Sequence, residues 1–140
     1  MVPFPILFLL ASLLASQVIV AQTVSSATYT VGGANVPSGA DPSKSSVDII
    51  DSDLFDNNEL SLGLTGFFQV DEGGNWVSDD VNTRLWCDGS HVRGSDGTSG
   101  ENPAEVFLKV TFRDSAGNVI NDANGNPITY ETATQDVRCL

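Results

Sequence analysis

Acidic side chains are the groups in this chain best supplied for chemistry, and they cluster. Asp51, Asp53, Asp56 and Glu59 lie within nine residues, and several carboxylates on one loop provide the hard oxygen ligands that calcium prefers. Asp79 and Asp80 would reach such a cation from another loop. The spacing departs from the EF-hand pattern, because Phe55 and Asp56 stand where a ligand and the turn Gly belong. The favoured expectation is a solvated acidic loop without metal, since charge runs are ordinarily exposed; Asp51, Asp53, Asp56, Asp79 and Asp80 are the calcium candidates set against it. Asp122 to Glu131 has a superficial likeness to a calcium loop, but its Gly comes too early and the twelfth position is Ala133. A hairpin is the better account.

His91 is the only histidine, within Asp88-Gly-Ser-His-Val-Arg-Gly-Ser-Asp96. Histidine beside Ser and Asp raises nucleophilic catalysis, yet the stretch has no Gly-x-Ser-x-Gly elbow to expose a nucleophile. A surface-loop histidine is expected. Paired carboxylates for glycoside hydrolysis are defined by a separation in space, and a chain this short rarely encloses the cleft they need. No catalytic residue and no cofactor is assigned, and the expected class is non-enzymatic.

Two cysteines, Cys87 and Cys139, complete the reactive groups. In an oxidising compartment one intramolecular disulfide is the economical pairing, with a bridge between two chains as its rival. An internal bridge would close a loop of about 50 residues, worth about 4 kcal/mol by chain entropy. Zinc is not expected of these thiols, because the four-ligand cysteine and histidine spacing is missing. Trp76 and Trp86 are able to stack on sugars or to anchor a partner. Trp86, next to Cys87, is expected in the core over the disulfide, as in immunoglobulin domains. Trp76, beside Gly73-Gly74-Asn75, is expected to be exposed.

These residues need a scaffold and an address. Residues 1–21 carry no charge, are mostly apolar and end on Ala21 before polar Gln22-Thr23, the layout of a secretory leader. An uncleaved anchor is the alternative, opposed by Pro3, Pro5, Ser12, Ser16 and Gln17 and by the lack of flanking Lys or Arg. The expectation is a signal peptide over 1–21 and one secreted, extracellular domain over 22–140, with no membrane contact after cleavage. Eighteen acidic and six basic residues give a net charge of -12, all beyond the leader. Such a surface repels nucleic acid and anionic lipid. No Asn-x-Ser/Thr sequon occurs, so N-glycosylation is not expected.

Past residue 21, helical periodicity is scarce, and short runs rich in Val, Ile, Thr, Phe and Tyr alternate with Gly, Asn, Asp and Ser, which predicts an all-β sandwich or barrel. Strands are predicted over Ala27–Val31, Ser46–Ile50, Thr65–Val70, Thr83–Cys87, Glu105–Arg113, Asn118–Ile120, Pro127–Thr132 and Gln135–Cys139. In the clearest, Val106, Leu108, Val110 and Phe112 share one face, while Phe107, Lys109, Thr111 and Arg113 share the other. Asp114 to Asn118 and Asp122 to Asn126 are turn signals, and Asn124-Gly125 predicts a type I′ hairpin. Gly32–Ser46 and Gly89–Asn102 read as solvated loops.

The stretch Ser46 to Gly63, with Asp51 and Asp53 leading into the acidic run Asp56 to Glu59, is followed by Gly73-Gly74-Asn75-Trp76 and by a Pro103-led strand bearing Val106, Leu108 and Val110. Over roughly Tyr29 to Phe112 this resembles the transthyretin-like secreted proteins. The pattern departs from the family at Asp114-Ser115, where many members carry a Cys. The resemblance implies an immunoglobulin/transthyretin-like antiparallel β-sandwich of seven or eight strands used for extracellular binding, without transthyretin's hormone channel. The preferred expectation is a secreted, acidic, non-enzymatic β-sandwich that binds an extracellular protein or glycan or serves a structural role. A calcium-dependent adhesive module and a small secreted hydrolase or effector using carboxylates are the alternatives.

Overall fold

The computed structural model describes residues 23–52, 60–65, 68–78, 81–94 and 99–140. Their strands are β1 (Tyr29–Val31), β2 (Ser46–Asp51), β3 (Leu60–Thr65), β4 (Gln69–Val70), β5 (Trp76–Ser78), β6 (Trp86–Asp88), β7 (His91–Arg93), β8 (Ser99–Gly100), β9 (Ala104–Thr111), β10 (Thr129–Glu131) and β11 (Gln135–Val137). Helical structure among the described residues is a single turn, α1 (Val81–Arg84), and a 3-10 turn at Gly33–Asn35. The fold is all-β. The signal-peptide prediction for residues 1–21 lies outside the described residues.

Alternation along β9 organises the molecule. Val106, Leu108 and Val110 are fully buried, while Glu105 is exposed and Lys109 and Thr111 are half-buried. Antiparallel β2 pairs along β9 from Ser46 opposite Thr111 to Asp51 opposite Val106, so Val47 and Ile49 join the same buried face. β3 continues this sheet beyond β2, with a register shift between Asp48 and Ile50. Two short strands share the far edge of β9: β10 pairs with its C-terminal part and β11 with its N-terminal part. Where the edge passes from one to the other, Thr132 closes the gap. Its Oγ1 accepts from Leu108 N at 2.8 Å and its own N–H donates to Leu108 O at 3.0 Å, so no buried ladder group of Leu108 is orphaned.

A second sheet, in the order β1-β5-β4, covers this buried face. Tyr29 and Val31 from β1 and Trp76 from β5 enter the same apolar cluster as Val106, Leu108 and Phe112. Tyr29 donates its hydroxyl to Val106 O at 3.4 Å, and burial pushes its phenol well above the ordinary value. Trp76 and Phe112 pack in a T-shaped arrangement with 5.4 Å between ring centroids, and the tilted ring of Phe68 lies 5.7 Å from Trp76. The result is sandwich-like, as predicted.

Three connections are built alike. Asp71-Glu-Gly-Gly-Asn75, Asp114-Ser-Ala-Gly-Asn118 and Asp122-Ala-Asn-Gly-Asn126 share the pattern Asp-x-x-Gly-Asn. In each, the Asp Oδ1 accepts backbone N–H bonds from the residues two and four positions on, at 2.9 to 3.0 Å. The Gly N–H donates to the Asp carbonyl, and the Gly sits at φ between 82 and 87°, a conformation that disfavours any side chain. This is a type I turn closed by a left-handed Gly. The expected type I′ turn on Asn124-Gly125 is thereby corrected: the central pair of the turn is Ala123-Asn124, because the i to i+3 bond runs from Gly125 N to Asp122 O.

Other boundaries also shift. The predicted strand Thr83–Cys87 begins as α1, because the Asn82 side chain pairs with the backbone of Ala27 through Oδ1 at 3.0 Å and Nδ2 at 3.1 Å and so serves as its strand neighbour. Within Thr65–Val70, Thr65 ends β3 and Gln69–Val70 form β4. Asn118–Ile120 contributes an isolated bridge, Val119 with Arg113, and β10 occupies only Thr129–Glu131. The predicted loop Gly89–Asn102 contains β7 and β8, which join β6 in a third small sheet.

Candidate functional site

The third sheet gives the most distinctive surface among the described residues. In the β6–β7 hairpin, Trp86 lies opposite Arg93, Cys87 opposite Val92 and Asp88 opposite His91. Since strand side chains alternate between faces, Cys87 and Val92 turn inward and are buried. Trp86, Asp88, His91 and Arg93 turn outward together. Trp86 is 37% exposed, a large apolar surface left in water. Arg93 Nη2 lies 2.8 Å from Asp88 Oδ2, an ion pair between diagonal positions of the hairpin.

This face is fastened from beneath. Cys87 is disulfide-bonded to Cys139, with 5.7 Å between Cα atoms. The internal pairing is thus the one formed, and it leaves no free cysteine. Cys139 also bridges Val24 in antiparallel fashion, while Ser25 N donates to Arg138 O at 2.8 Å and Leu140 N to Thr23 O at 3.0 Å. At the end of β7, Gly94 approaches β3 so closely that a Cβ there would lie 1.8 Å from Leu62 O. The hairpin is held at its base on two sides.

A second feature lies on the outer face of the main sheet. Ser46, Asp48, Lys109 and Thr111 line an open cavity of about 220 Å³. They arise as facing pairs, Ser46 with Thr111 and Asp48 with Lys109. Ser61 donates its hydroxyl to Asp48 Oδ1 at 2.6 Å, and Arg113 Nε donates to Ser46 Oγ at 3.2 Å. Among the described residues the side chains that line it are polar or charged.

The residues singled out in the sequence fare unequally. Asp51 ends β2 opposite Leu60 and Val106 and is fully buried, so its place on a solvated loop is corrected: it continues the inward row of Val47 and Ile49. Asp53, Asp56, Glu59, Asp79 and Asp80 lie outside the described residues. Among the described residues no three His, Cys, Asp or Glu side chains are grouped to hold a metal ion. His91 is exposed on β7 rather than in a loop, and no hydroxyl–imidazole hydrogen bond forms there among the described residues. The two tryptophans exchange their expected places: Trp76 is 3% exposed and in the core, Trp86 outside. The signal for this was present. Neighbours on a strand face opposite ways, so a buried Cys87 places Trp86 outward.

No known protein family, curated protein or solved structure matches the chain. Among the described residues no helix is long and apolar enough to cross a membrane.

Proposed function

We propose that this protein is exported and works outside the cell as a non-enzymatic binding protein whose contact surface is the outer face of β6 and β7. The observation that carries the reading is Trp86, an indole exposed on a strand whose next residue is disulfide-bonded. Exposed aromatics are enriched where proteins meet partners, and a rigid support reduces the entropy lost on binding. A cystine persists in oxidising compartments, and the leader-like residues 1–21 provide a route there. The transthyretin-like resemblance adds to this reading, since it implies a sandwich used for extracellular binding. The acidic surface favours solubility and disfavours nucleic acid.

The reading is tested by adding fluorescently labelled protein to the outer surface of the cells that produce it. Retention after washing is expected for the natural chain and loss of retention for Trp86→Ala. Retention that is absent, or that is equal for both proteins, overturns the proposal.

A further inference from the structure

Asn124-Gly125 is the one Asn-Gly pair in the chain, and such a pair carries a reaction of its own. The backbone nitrogen of Gly, unhindered by a side chain, attacks Cγ of the preceding Asn. An N–Cγ bond forms, the Cγ–Nδ2 bond breaks and ammonia leaves. Water then opens the cyclic imide at either carbonyl, leaving aspartate or isoaspartate.

Asn124 and Gly125 are exposed to solvent, so the restraint on this reaction is conformational. In the type I turn from Asp122 to Gly125, Asn124 holds the second central position, where its own nitrogen and that of Gly125 are nearly eclipsed about the Cα–C bond. Ring closure needs Gly125 N eclipsed with the Asn124 Cβ instead, a rotation of about 120°. That rotation would break the 3.0 Å bond from Gly125 N to Asp122 O. It would also pull apart the N–H groups of Asn124 and Asn126, which Asp122 Oδ1 holds at 2.9 and 3.0 Å. A nitrogen engaged as a donor is slow to give up its proton until the turn opens.

We infer that Asn124 is a deamidation site held latent by Asp122, whose carboxylate and carbonyl clamp the turn and keep Gly125 N from the Asn124 side chain. The three Asp-x-x-Gly-Asn turns provide an internal comparison. They carry Gly73, Ala116 and Asn124 before their left-handed Gly, so the same clamp restrains a reactive side chain in one turn alone. Conversion adds a negative charge there, and isoaspartate also lengthens the backbone by one carbon between Asn121 and Pro127, which bridge. Beyond that bridge Ile128 N donates to Ile120 O at 2.9 Å, and both isoleucines pack against the core.

The test follows acid at position 124 by peptide mapping and mass spectrometry of the purified disulfide-bonded protein, incubated at mildly alkaline pH. Folded natural protein is compared with the same protein unfolded in urea, with folded Asp122→Ala, and with folded Asp114→Ala, which opens the matched turn that holds Ala116. Unfolding is expected to speed conversion about tenfold or more, since a closed turn is reactive only when it opens. Asp122→Ala should speed it about fivefold, the factor that corresponds to the net contribution of one hydrogen bond. Asp114→Ala should stay within about twofold of the natural rate, as a separate site does. Melting curves establish that both variants are folded at the incubation temperature. Equal rates for folded and unfolded natural protein overturn the inference whatever the variants do. An Asp122→Ala rate equal to the natural one, or equal acceleration by Asp114→Ala, overturns it as well, because opening elsewhere then controls the reaction.

Discussion

Asp71 and Asp41 are fixed by hydrogen bonds to their ionised forms, and this gives the fold a defined acid sensitivity. The carboxyl of Asp71 is held below the ordinary range chiefly by the backbone N–H of Asn75, that of Asp41 chiefly by the Ser43 hydroxyl and then by the Ser43 N–H. A carboxylate depressed in the folded state contributes stability that is present above its unfolded pKa, about 3.9, and is lost as pH falls through the lower folded value. Asp71→Asn and Asp41→Asn should therefore lower the melting temperature near neutral pH and flatten its decline below about pH 4. Thermal melts from neutral to strongly acidic pH check this; parallel curves for variant and natural protein would refute it. Relief of repulsion among the excess carboxylates acts in the same range with the opposite sign, and the difference between variant and natural curves removes it. The turns at Asp114 and Asp122 were legible in outline, each from an Asp and a following Gly, whereas at Asp71 the sequence marked only Gly73-Gly74-Asn75. What misled the placement of Trp86 was analogy: in an immunoglobulin core a Trp packs over the cystine, whereas here Trp86 adjoins Cys87 on one short strand and must face away from it.

The elements most readable in the sequence were those with long alternation. β9 shows its alternation over eight residues: Val106, Leu108, Val110 and Phe112 are buried on one face as predicted, and Lys109 and Thr111 are half-buried on the other, where Phe107 is buried as well. β7 was missed because His91-Val92-Arg93 presents one apolar residue between two polar ones, too brief to stand apart from its Gly- and Ser-rich neighbours. Its position depends on a contact that sequence does not reveal, the approach of Gly94 to the backbone of Leu62. A methyl group at Gly94 has no room unless one strand moves, so Gly94→Ala should destabilise by about 1–3 kcal/mol, the usual penalty for overpacking. Gly73→Ala is the matched control: its Cβ would meet Asn75 Nδ2 at 3.4 Å and Asp71 Oδ1 at 3.5 Å, ordinary contacts on a backbone without positive φ. It should change stability by less than about 1 kcal/mol. Urea unfolding midpoints distinguish them, and equal midpoints would show that the close approach is not rigid.

Across the whole molecule, the cystine joins parts of the chain that the sheets connect weakly. Cys87 and Cys139 are 52 positions apart, and Cys139 bridges Val24, so one covalent link gathers the third sheet, the C-terminal segment and residues 23–25. Closing a loop of this length in the unfolded chain is worth about 4 kcal/mol, and the double substitution Cys87→Ser, Cys139→Ser should lose about that amount. The loss should also be uneven. The main sheet keeps its β2–β9 ladder and buried apolar face without the cystine, whereas β6, β7 and β8 are two or three residues long and rest on buried Val92 and the Gly94 approach among the described residues. Hydrogen exchange should therefore quicken more at the amides of Cys87 and Val92 than at those of Leu108 and Val110, because local opening follows the least supported unit. Trp86 stands on the same hairpin, so its retention on cell surfaces should weaken under reducing conditions that leave the main sheet protected. Uniform loss of protection across all sheets would instead make the cystine a global constraint, and would remove the link between this bond and the presentation of Trp86.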